Sequence, residues 1–334
     1  MKKYWLLAGM LALFSACDDN SEQIKPENNL VDLSQGEVAF INKHGEMITA
    51  FYRGEEVTLE LIDGQYVLGG DMIIGRDEIT FVAPPEMSGA RTESTGRTQA
   101  RWPNNTVHYT VSSTLPNKDR VYNAIAHWEA NTNLKFVERT NQTAYITFRE
   151  GGGCSSSVGR TGRQQYINLG SGCSTGNTIH EIGHAVGLWH EHTRADRDNY
   201  IKVNFNNIQT GKEHNFQTYE QRGSDGDEYT TSLDFGSVML YSSYSFSSNG
   251  QPTITKLNGS TFGVQRNGLS AGDIEGINVM YPGDGTGGEE IEYLNGKWYT
   301  IDNLEVYRWN DKWWWHNGSR WYQVVNVDGT WYYA

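Results

Sequence analysis

Hydrophobic and polar residues alternate along several short stretches of this chain, and a period of two residues predicts β-strands. The strands predicted in this way cover residues 57–61, 107–111, 143–149 and 166–169. Apolar residues instead recur at helical spacing over 117–131, which predicts an amphipathic helix. Residues 205–219 are polar and are expected to form a loop with a short helix. The pattern therefore predicts many short strands and few helices.

The apolar stretch over residues 4–14 follows two lysines and is too short to span a bilayer, which is typical of an export signal. The next three residues, Ser15-Ala16-Cys17, resemble a bacterial lipoprotein cleavage site. We expect a signal peptide over 1–17, with Cys17 as the lipidated first mature residue. The chain would then be exported to the outer membrane or cell surface and held there only by its lipid. Ordinary secretion is the alternative.

The C-terminal residues 289–334 form a separate module, joined by a glycine-rich linker over 284–288. The module holds 7 of the 11 tryptophans, and its Asn-Gly and Asp-Gly pairs predict β-hairpins. Aromatic side chains can serve merely to build the core of so small a unit. The alternative is an exposed aromatic platform that binds a glycan or cell-wall ligand.

The length of 334 residues is sufficient for one domain of typical size with accessory segments. The formal net charge is −13, from 27 basic and 40 acidic residues. Phosphate binding requires a basic surface, so this charge argues against a nucleic-acid partner.

One motif dominates the middle of the chain. On a helix, His180 and His184 lie one turn apart and can present two imidazole nitrogens to one metal ion. Glu181 lies beside the first of them, where a carboxylate can accept a proton from a water at the metal. Gly187 permits the left-handed conformation that ends a helix, so the chain can fold back and bring His190 to the ion. Three imidazoles with an open fourth position are typical of catalytic zinc.

Two helical histidines alone are as typical of a solvated surface as of a metal site, but the complete HExxHxxGxxH pattern is the metzincin signature. Ser237-Val238-Met239-Leu240-Tyr241 resembles the methionine turn of these enzymes, with Met239 below the zinc. Glu191 directly follows the third histidine, and Tyr241 ends the turn. These features resemble the astacin family, and the resemblance extends over about 102–282.

The resemblance implies an α+β fold: a two-lobed catalytic domain over 92–283, with a twisted mixed sheet and a zinc helix followed by an irregular second lobe. It implies one Zn²⁺ per chain and a zinc-dependent endopeptidase that acts on protein or peptide substrates.

Individual roles follow from the same resemblance. Glu181 would be the general base, and Tyr241 would stabilise the oxyanion. Cys154 and Cys173 would form a disulfide. Arg266 is a candidate for lining the cleft on the primed side, although such an arginine is more often a surface residue.

Residues 18–91 are expected to be a pro-segment. Astacin pro-segments carry a Phe-x-Gly-Asp motif whose Asp ligates zinc, and Leu68-Gly69-Gly70-Asp71 matches it except at the first residue. Asp71 would thus block the site; an ordinary Gly-Gly-Asp turn is the alternative. Residues 91–101 are expected to be exposed and cleavable, with Arg91 favoured over Arg97 as the activation site.

The new amino terminus would pair with Glu191, as the family resemblance implies. Two other functions stay open on sequence alone: a peptidoglycan amidase built on the same motif, and a binding protein whose peptidase is vestigial. An intact Glu181 argues against the second.

Overall fold

The computed structural model describes residues 37–52, 55–82, 96–97, 100–222, 224, 226–283, 297–301, 304–309, 312–317, 320–327 and 330–333. The expected signal peptide with Cys17, the cleavage position at Arg91 and the linker over 284–288 lie outside these residues. No helix in the described part of the chain is long and apolar enough to cross a bilayer.

Five strands precede residue 92. They are β1 (Glu46–Tyr52), β2 (Glu55–Ile62), β3 (Gln65–Leu68), β4 (Met72–Ile74) and β5 (Ile79–Thr80). The alternation that predicted a strand over 57–61 is confirmed, because Val57 and Leu59 are buried. Asp63 and Gly64 both have positive φ, which suits the tight hairpin that joins β2 to β3.

Five further strands and two helices follow. They are β6 (Thr106–Val111), α1 (Asp119–Asn131), β7 (Lys135–Glu138), β8 (Tyr145–Arg149), β9 (Cys154–Ser156), β10 (Gln164–Leu169) and α2 (Thr175–Ala185). The strands and helices predicted here are confirmed. Helix α1 begins two residues later than predicted, since Asn117 has a φ of 51°, which is not helical.

All ten strands form one mixed sheet in the order β5-β1-β2-β3-β4-β9-β10-β8-β6-β7. The two halves meet where β4 pairs in parallel with β9 at Met72 and Ser156. Beside this pair, Ser156 N–H donates to Asp71 O at 3.1 Å, and Cys154 N–H donates to Val38 O at 3.1 Å. The segment before residue 92 therefore covers the edge strand of the following domain.

Helices α1 and α2 pack on this sheet, and Trp128 Nε1 donates to Ile179 O across them at 3.1 Å. The described residues between α2 and residue 283 form short elements: β11 (Ile201–Val203), β12 (Ile254–Lys256), turns of 3-10 helix and α3 (Ala271–Met280). Ser270 caps α3, accepting from Asp273 N–H at 2.9 Å. An α+β fold with a sheet lobe and an irregular second lobe is thus confirmed.

The C-terminal module is an antiparallel meander of five strands. They are β13 (Lys297–Ile301), β14 (Leu304–Trp309), β15 (Lys312–His316), β16 (Trp321–Val327) and β17 (Thr330–Tyr333). The hairpins predicted from the sequence are confirmed. Val306 and Val324 are buried, whereas Trp321, Tyr332 and Tyr333 are exposed.

Candidate metal centre

Helix α2 carries the first two histidines of the motif. It begins at Thr175, because Ser174 and Asn177 form a reciprocal capping box. His180 and His184 lie one turn apart inside the protein, and their ring centroids are 4.8 Å apart. Both side chains therefore face a single point, as the spacing predicts.

Gly187 ends α2 and redirects the chain. Its φ of 112° lies in the region that favours glycine. The reversal brings the ring of His190 to 4.7 Å from His184 and 5.4 Å from His180. The structure thus brings together the three histidines that the sequence analysis selected.

Backbone carbonyls orient two of the imidazoles. His180 Nδ1 lies 2.7 Å from Val238 O, and His184 Nδ1 lies 2.8 Å from Leu188 O. A carbonyl can only accept, so each Nδ1 donates, and each Nε2 of the neutral ring keeps a lone pair. These lone pairs are directed toward the centre of the cluster, which is the arrangement of a metal-binding histidine.

Asp71 supplies the fourth group. Its Oδ2 lies 3.1 Å from His190 Nε2 and 3.3 Å from His180 Nε2, and its Oδ1 lies 3.5 Å from His184 Nε2. All four side chains are fully buried, and their ligand atoms lie within 4.8 Å of one another. A carboxylate and three imidazoles are a ligand set typical of zinc.

Unsatisfied polar atoms support the fit of a cation. Asp71 Oδ1, His184 Nε2 and both carboxylate oxygens of Glu181 are buried without a hydrogen-bond partner among the residues that the structure describes. Buried polar atoms in folded proteins are nearly always satisfied, so such a group in one place indicates a bound ion or water. The donor set therefore fits Zn²⁺.

Glu181 is fully buried beside His180. Burial raises the pKa of its carboxyl group well above the usual value, and the negative charges of Asp71 and Glu37 act in the same direction. A carboxylate in such a place accepts a proton readily, as a general base must.

The methionine turn lies below the helix. A Cβ placed on Gly183 would come within 2.6 Å of Met239 Sδ, so the helix needs glycine where the methionine packs against it. Tyr241 is buried with its ring 4.5 Å from that of His190. Its hydroxyl donates to Gly69 O at 2.5 Å, a carbonyl that lies two residues before Asp71.

Glu191 lies behind the third histidine. It accepts from Asp234 N–H at 2.9 Å and lies 3.6 Å from Arg194. Burial raises the pKa of its carboxyl group to about 8, against the lowering effect of Arg194. A small pocket borders this carboxylate and is also lined by Gly96 and Tyr229.

The predicted disulfide is present between Cys154 and Cys173, whose Cα atoms are 6.0 Å apart. It ties the start of β9 to the loop that precedes α2. The bond therefore fixes the edge strand of the domain relative to the helix that carries the metal-binding residues.

Sequence reasoning missed Glu37. Its carboxylate is buried and receives two hydrogen bonds from the Arg266 guanidinium and one from Asn177 Nδ2 at 2.7 Å. Arg266, whose side chain is 10% exposed, is therefore the ion-pair partner of a residue before position 92 and is not an ordinary surface arginine. The two residues are 229 positions apart, so no spacing pattern could have linked them.

The stretch over 91–101 also differs from the expectation of an exposed linker. Arg97 is fully buried; its N–H donates to Gly187 O at 2.9 Å and its Nη1 donates to Val158 O at 2.8 Å. Gly96 forms backbone bridges to Leu188 and Asp227. Part of this stretch is thus integrated into the domain.

Comparison with known proteins gives consistent matches. The family model described as Astacin (Peptidase family M12A) matches residues 94–282. The chain is 41% identical over 235 residues to Blastula protease 10 of Paracentrotus lividus, covering 64% of this chain and 38% of that protein. It is 43% identical over 190 residues to Flavastacin of Elizabethkingia meningoseptica, covering 54% of this chain and 42% of that protein. The chain thus spans about two fifths of these relatives' length.

Among solved structures, the chain is similar to High choriolytic enzyme 1, a hatching enzyme zinc-protease from Oryzias latipes. The TM-score is 0.50 at 32% identity, and the match covers 55% of this chain and 93% of that one. The matched residues 94–282 contain the three histidines, Glu181 and the methionine turn, and they make up more than half of the chain. The chain therefore belongs to the astacin family.

Proposed function

We propose that this chain is the precursor of a zinc-dependent endopeptidase, exported and made as a zymogen. The observation that carries the proposal is the convergence of His180, His184 and His190 on the carboxylate of Asp71, with Glu181 buried beside them. The relatives matched here include a protein named as a zinc-protease, and this chemistry fits the ligand set.

Peptide hydrolysis follows from the positions of the residues. Zinc held by the three histidines would polarise the scissile carbonyl and lower the pKa of a water. Glu181 accepts the proton of the attacking water and delivers it to the nitrogen of the leaving amine. Tyr241, released from Gly69 O, donates a hydrogen bond to the oxygen on which negative charge develops. The products are a carboxylate and an amine.

Latency would depend on two contacts of the pro-segment over 18–91. Asp71 takes the position that a water needs among the three imidazoles. Strand β4 pairs with the edge strand β9, where an extended substrate would otherwise add to the sheet. One carboxylate and one strand thus block both the metal and the cleft.

Activation would cut after Arg91, so that the catalytic domain covers 92–283. The burial of Arg97 supports this choice, since a protease needs an exposed, flexible segment. The new amino terminus would enter the pocket beside Glu191, where its charge pairs with the carboxylate. Amino-terminal sequencing of the active form should give residue 92 as the first, and a start at Arg101 or later would contradict the proposal.

Export rests on the signal peptide over 1–17 and agrees with a disulfide, since such bonds persist in oxidising compartments. Attachment of lipid to Cys17 is a more specific prediction than export.

The aromatic module offers a candidate glycan surface, because Trp315, Tyr322 and Tyr333 are neighbours, with ring centroids 5.1–6.3 Å apart. Binding of a cell-wall glycan there also stays a prediction.

The proposed activity can be tested with the activated chain on casein and on peptidoglycan. We expect casein to be digested, digestion to stop when a chelator removes the metal, and stoichiometric zinc to restore it. Hydrolysis of peptidoglycan with casein left intact would favour the amidase instead. Activity that survives complete removal of the metal would contradict both.

A further inference from the structure

The carbonyl groups at the C-terminal end of helix α2 receive hydrogen bonds from distant parts of the chain. The last carbonyls of any helix lack partners within the helix and need donors from elsewhere. His184 O accepts from Gly159 N–H at 2.8 Å, and Ala185 O accepts from the indole Nε1 of Trp102 at 2.9 Å. These donors hold the end of the helix that carries two of the three imidazoles.

Tyr281, the residue that follows α3, supplies the donor at the next position. Its hydroxyl donates to Val186 O at 2.8 Å and accepts from Trp102 N–H at 3.3 Å. A carbonyl can only accept and a backbone N–H can only donate, so the single phenolic proton points to Val186. The tyrosine is 2% exposed, and burial raises the pKa of its hydroxyl, which therefore stays protonated at neutral pH.

The carbonyl that the tyrosine holds belongs to the peptide bond that enters Gly187. At this glycine the chain reverses with a φ of 112°. Leu188 O, in the same turn, accepts from His184 Nδ1 at 2.8 Å, and His190 follows two residues later. A change in the turn would therefore displace two of the three imidazoles at once.

The end of α3 also packs against this turn. A Cβ on Gly187 would lie 3.1 Å from Met280 Cε, which is closer than an ordinary contact. Tyr281 and Val186 belong to the same hydrophobic cluster as Met280, so the tyrosine ring contributes to the core. Phenylalanine would fill that space equally well. The ring thus accounts for the packing, and the hydroxyl requires a separate explanation.

We propose that Tyr281 is a positioning residue for the metal centre: its hydroxyl holds Val186 O and so fixes the turn that presents His184 and His190. The inference deepens the proposed function and rests on it, since it concerns the same zinc site. Groups that orient metal ligands through such contacts typically contribute 10- to 100-fold in metal affinity. Tyr281 would act through the backbone, without contact to metal or substrate.

The test measures zinc affinity in the uncut chain, with Glu181→Ala as the background that prevents self-digestion. Zinc is titrated in competition with a chelator of known affinity. Tyr281→Phe keeps the ring and removes only the donor to Val186 O, and we expect it to raise the zinc dissociation constant by about 10- to 100-fold. Tyr109→Phe is the matched control, since Tyr109 is also buried but lies on β6 against the ring of Phe148. It should leave the zinc affinity unchanged.

Urea unfolding with and without zinc separates positioning from general stability. Bound zinc stabilises the folded chain in proportion to the logarithm of its affinity, so weaker binding reduces this gain. Tyr281→Phe should therefore lose more stability in the zinc-loaded chain than in the metal-free chain. A hydroxyl that served only the fold would cost both forms the same.

An unchanged zinc dissociation constant in Tyr281→Phe, or an equal loss of stability with and without zinc, would overturn the positioning role. Both measurements are independent of peptide hydrolysis. If the activated chain with an intact Glu181 cleaves no casein, the peptidase proposal fails, while the zinc titration still decides the role of Tyr281.

Discussion

Single atoms determine how the three imidazoles can act. In His180 and His184, Nδ1 donates a hydrogen bond to a backbone carbonyl, which leaves Nε2 free to bind a metal. His190 differs, because its Nδ1 has no hydrogen-bond partner in the described ranges of the chain and lies beside Gly69 of the proposed pro-segment. The first two imidazoles are thus oriented by carbonyls that follow them in the chain, whereas the third borders the segment whose removal we propose.

Replacing Glu181 tests the proton-transfer step without changing the three histidines that would bind the metal. Glu181→Ala should keep one zinc per chain while kcat falls by about 10²–10⁴, because only the proton transfer is lost. His180→Ala should lose the metal as well, since two imidazoles rarely hold catalytic zinc. Metal analysis beside casein digestion checks both variants. Normal zinc with wild-type proteolysis in Glu181→Ala would contradict the mechanism.

The metal-binding residues could be predicted because their chemistry depends on local spacing, which a helix and one glycine convert into geometry. The ion pairs of Glu37 with Arg266 and of Glu60 with Lys212 could not be predicted. The partners in each pair are distant in the sequence, and all four belong to residue types that are usually exposed. Tertiary packing alone brings such charges together.

Among the strands and helices, those determined by neighbouring residues could be predicted, whereas a pairing between distant strands could not. Strands β6, β8 and β10 and helix α1 follow from local periodicity, and α2 starts where a capping box allows it. The pairing of β4 with β9 had no sequence signature, since it involves one parallel register pair between distant short strands. That pairing nevertheless places Asp71 at the metal centre.

The contact of the pro-segment at Glu37 should depend on pH. Burial by itself raises the pKa of Glu37, but the charge of Arg266 outweighs it and lowers the pKa from 4.5 to about 2. A lowered pKa in the folded state stabilises the chain above pH 4.5, and this stabilisation is lost as the pH falls toward 2. The contribution of this ionised Glu37 to the free energy of unfolding is on the order of 3 kcal/mol.

This pH dependence can be measured by urea unfolding of the uncut chain in a Glu181→Ala background, at pH 6 and pH 3. Wild-type Glu37 should lose more unfolding free energy between these values than Glu37→Gln, whose amide does not titrate. Other acidic groups are common to both proteins and cancel in the comparison. An equal loss in both would show that the Glu37 ion pair does not stabilise the pro-segment.

The disulfide at the edge strand β9 should stabilise the folded chain. Replacing both Cys154 and Cys173 with Ala should lower the unfolding free energy by about 3 kcal/mol, because the loop between them is no longer closed in the unfolded chain. Thermal unfolding in the Glu181→Ala background measures this without self-digestion. An unchanged melting temperature would contradict a stabilising role for the bond.

In the whole molecule, ten strands from the segments before and after residue 92 form one sheet, so the latency that we propose for the uncut chain would follow from its fold. Carboxylates of the proposed pro-segment meet Arg266, Lys212 and the three-histidine site. Removal of this segment would therefore open the metal site, the edge strand and two cationic positions together.

The most direct test of this account is the activity of the uncut Asp71→Ala chain toward a short quenched peptide, with intact mass confirming that no cut has occurred. Asp77→Ala is the matched control, since Asp77 is an exposed pro-segment carboxylate that pairs with Arg163 at the surface. We expect zinc-dependent hydrolysis by uncut Asp71→Ala at a rate at least about tenfold above that of uncut wild type, because one charge-assisted contact at the metal site is lost. Uncut Asp77→Ala should show no such hydrolysis. An uncut, zinc-loaded Asp71→Ala protein as silent as wild type would contradict the account, because steric cover alone would then keep the enzyme inactive.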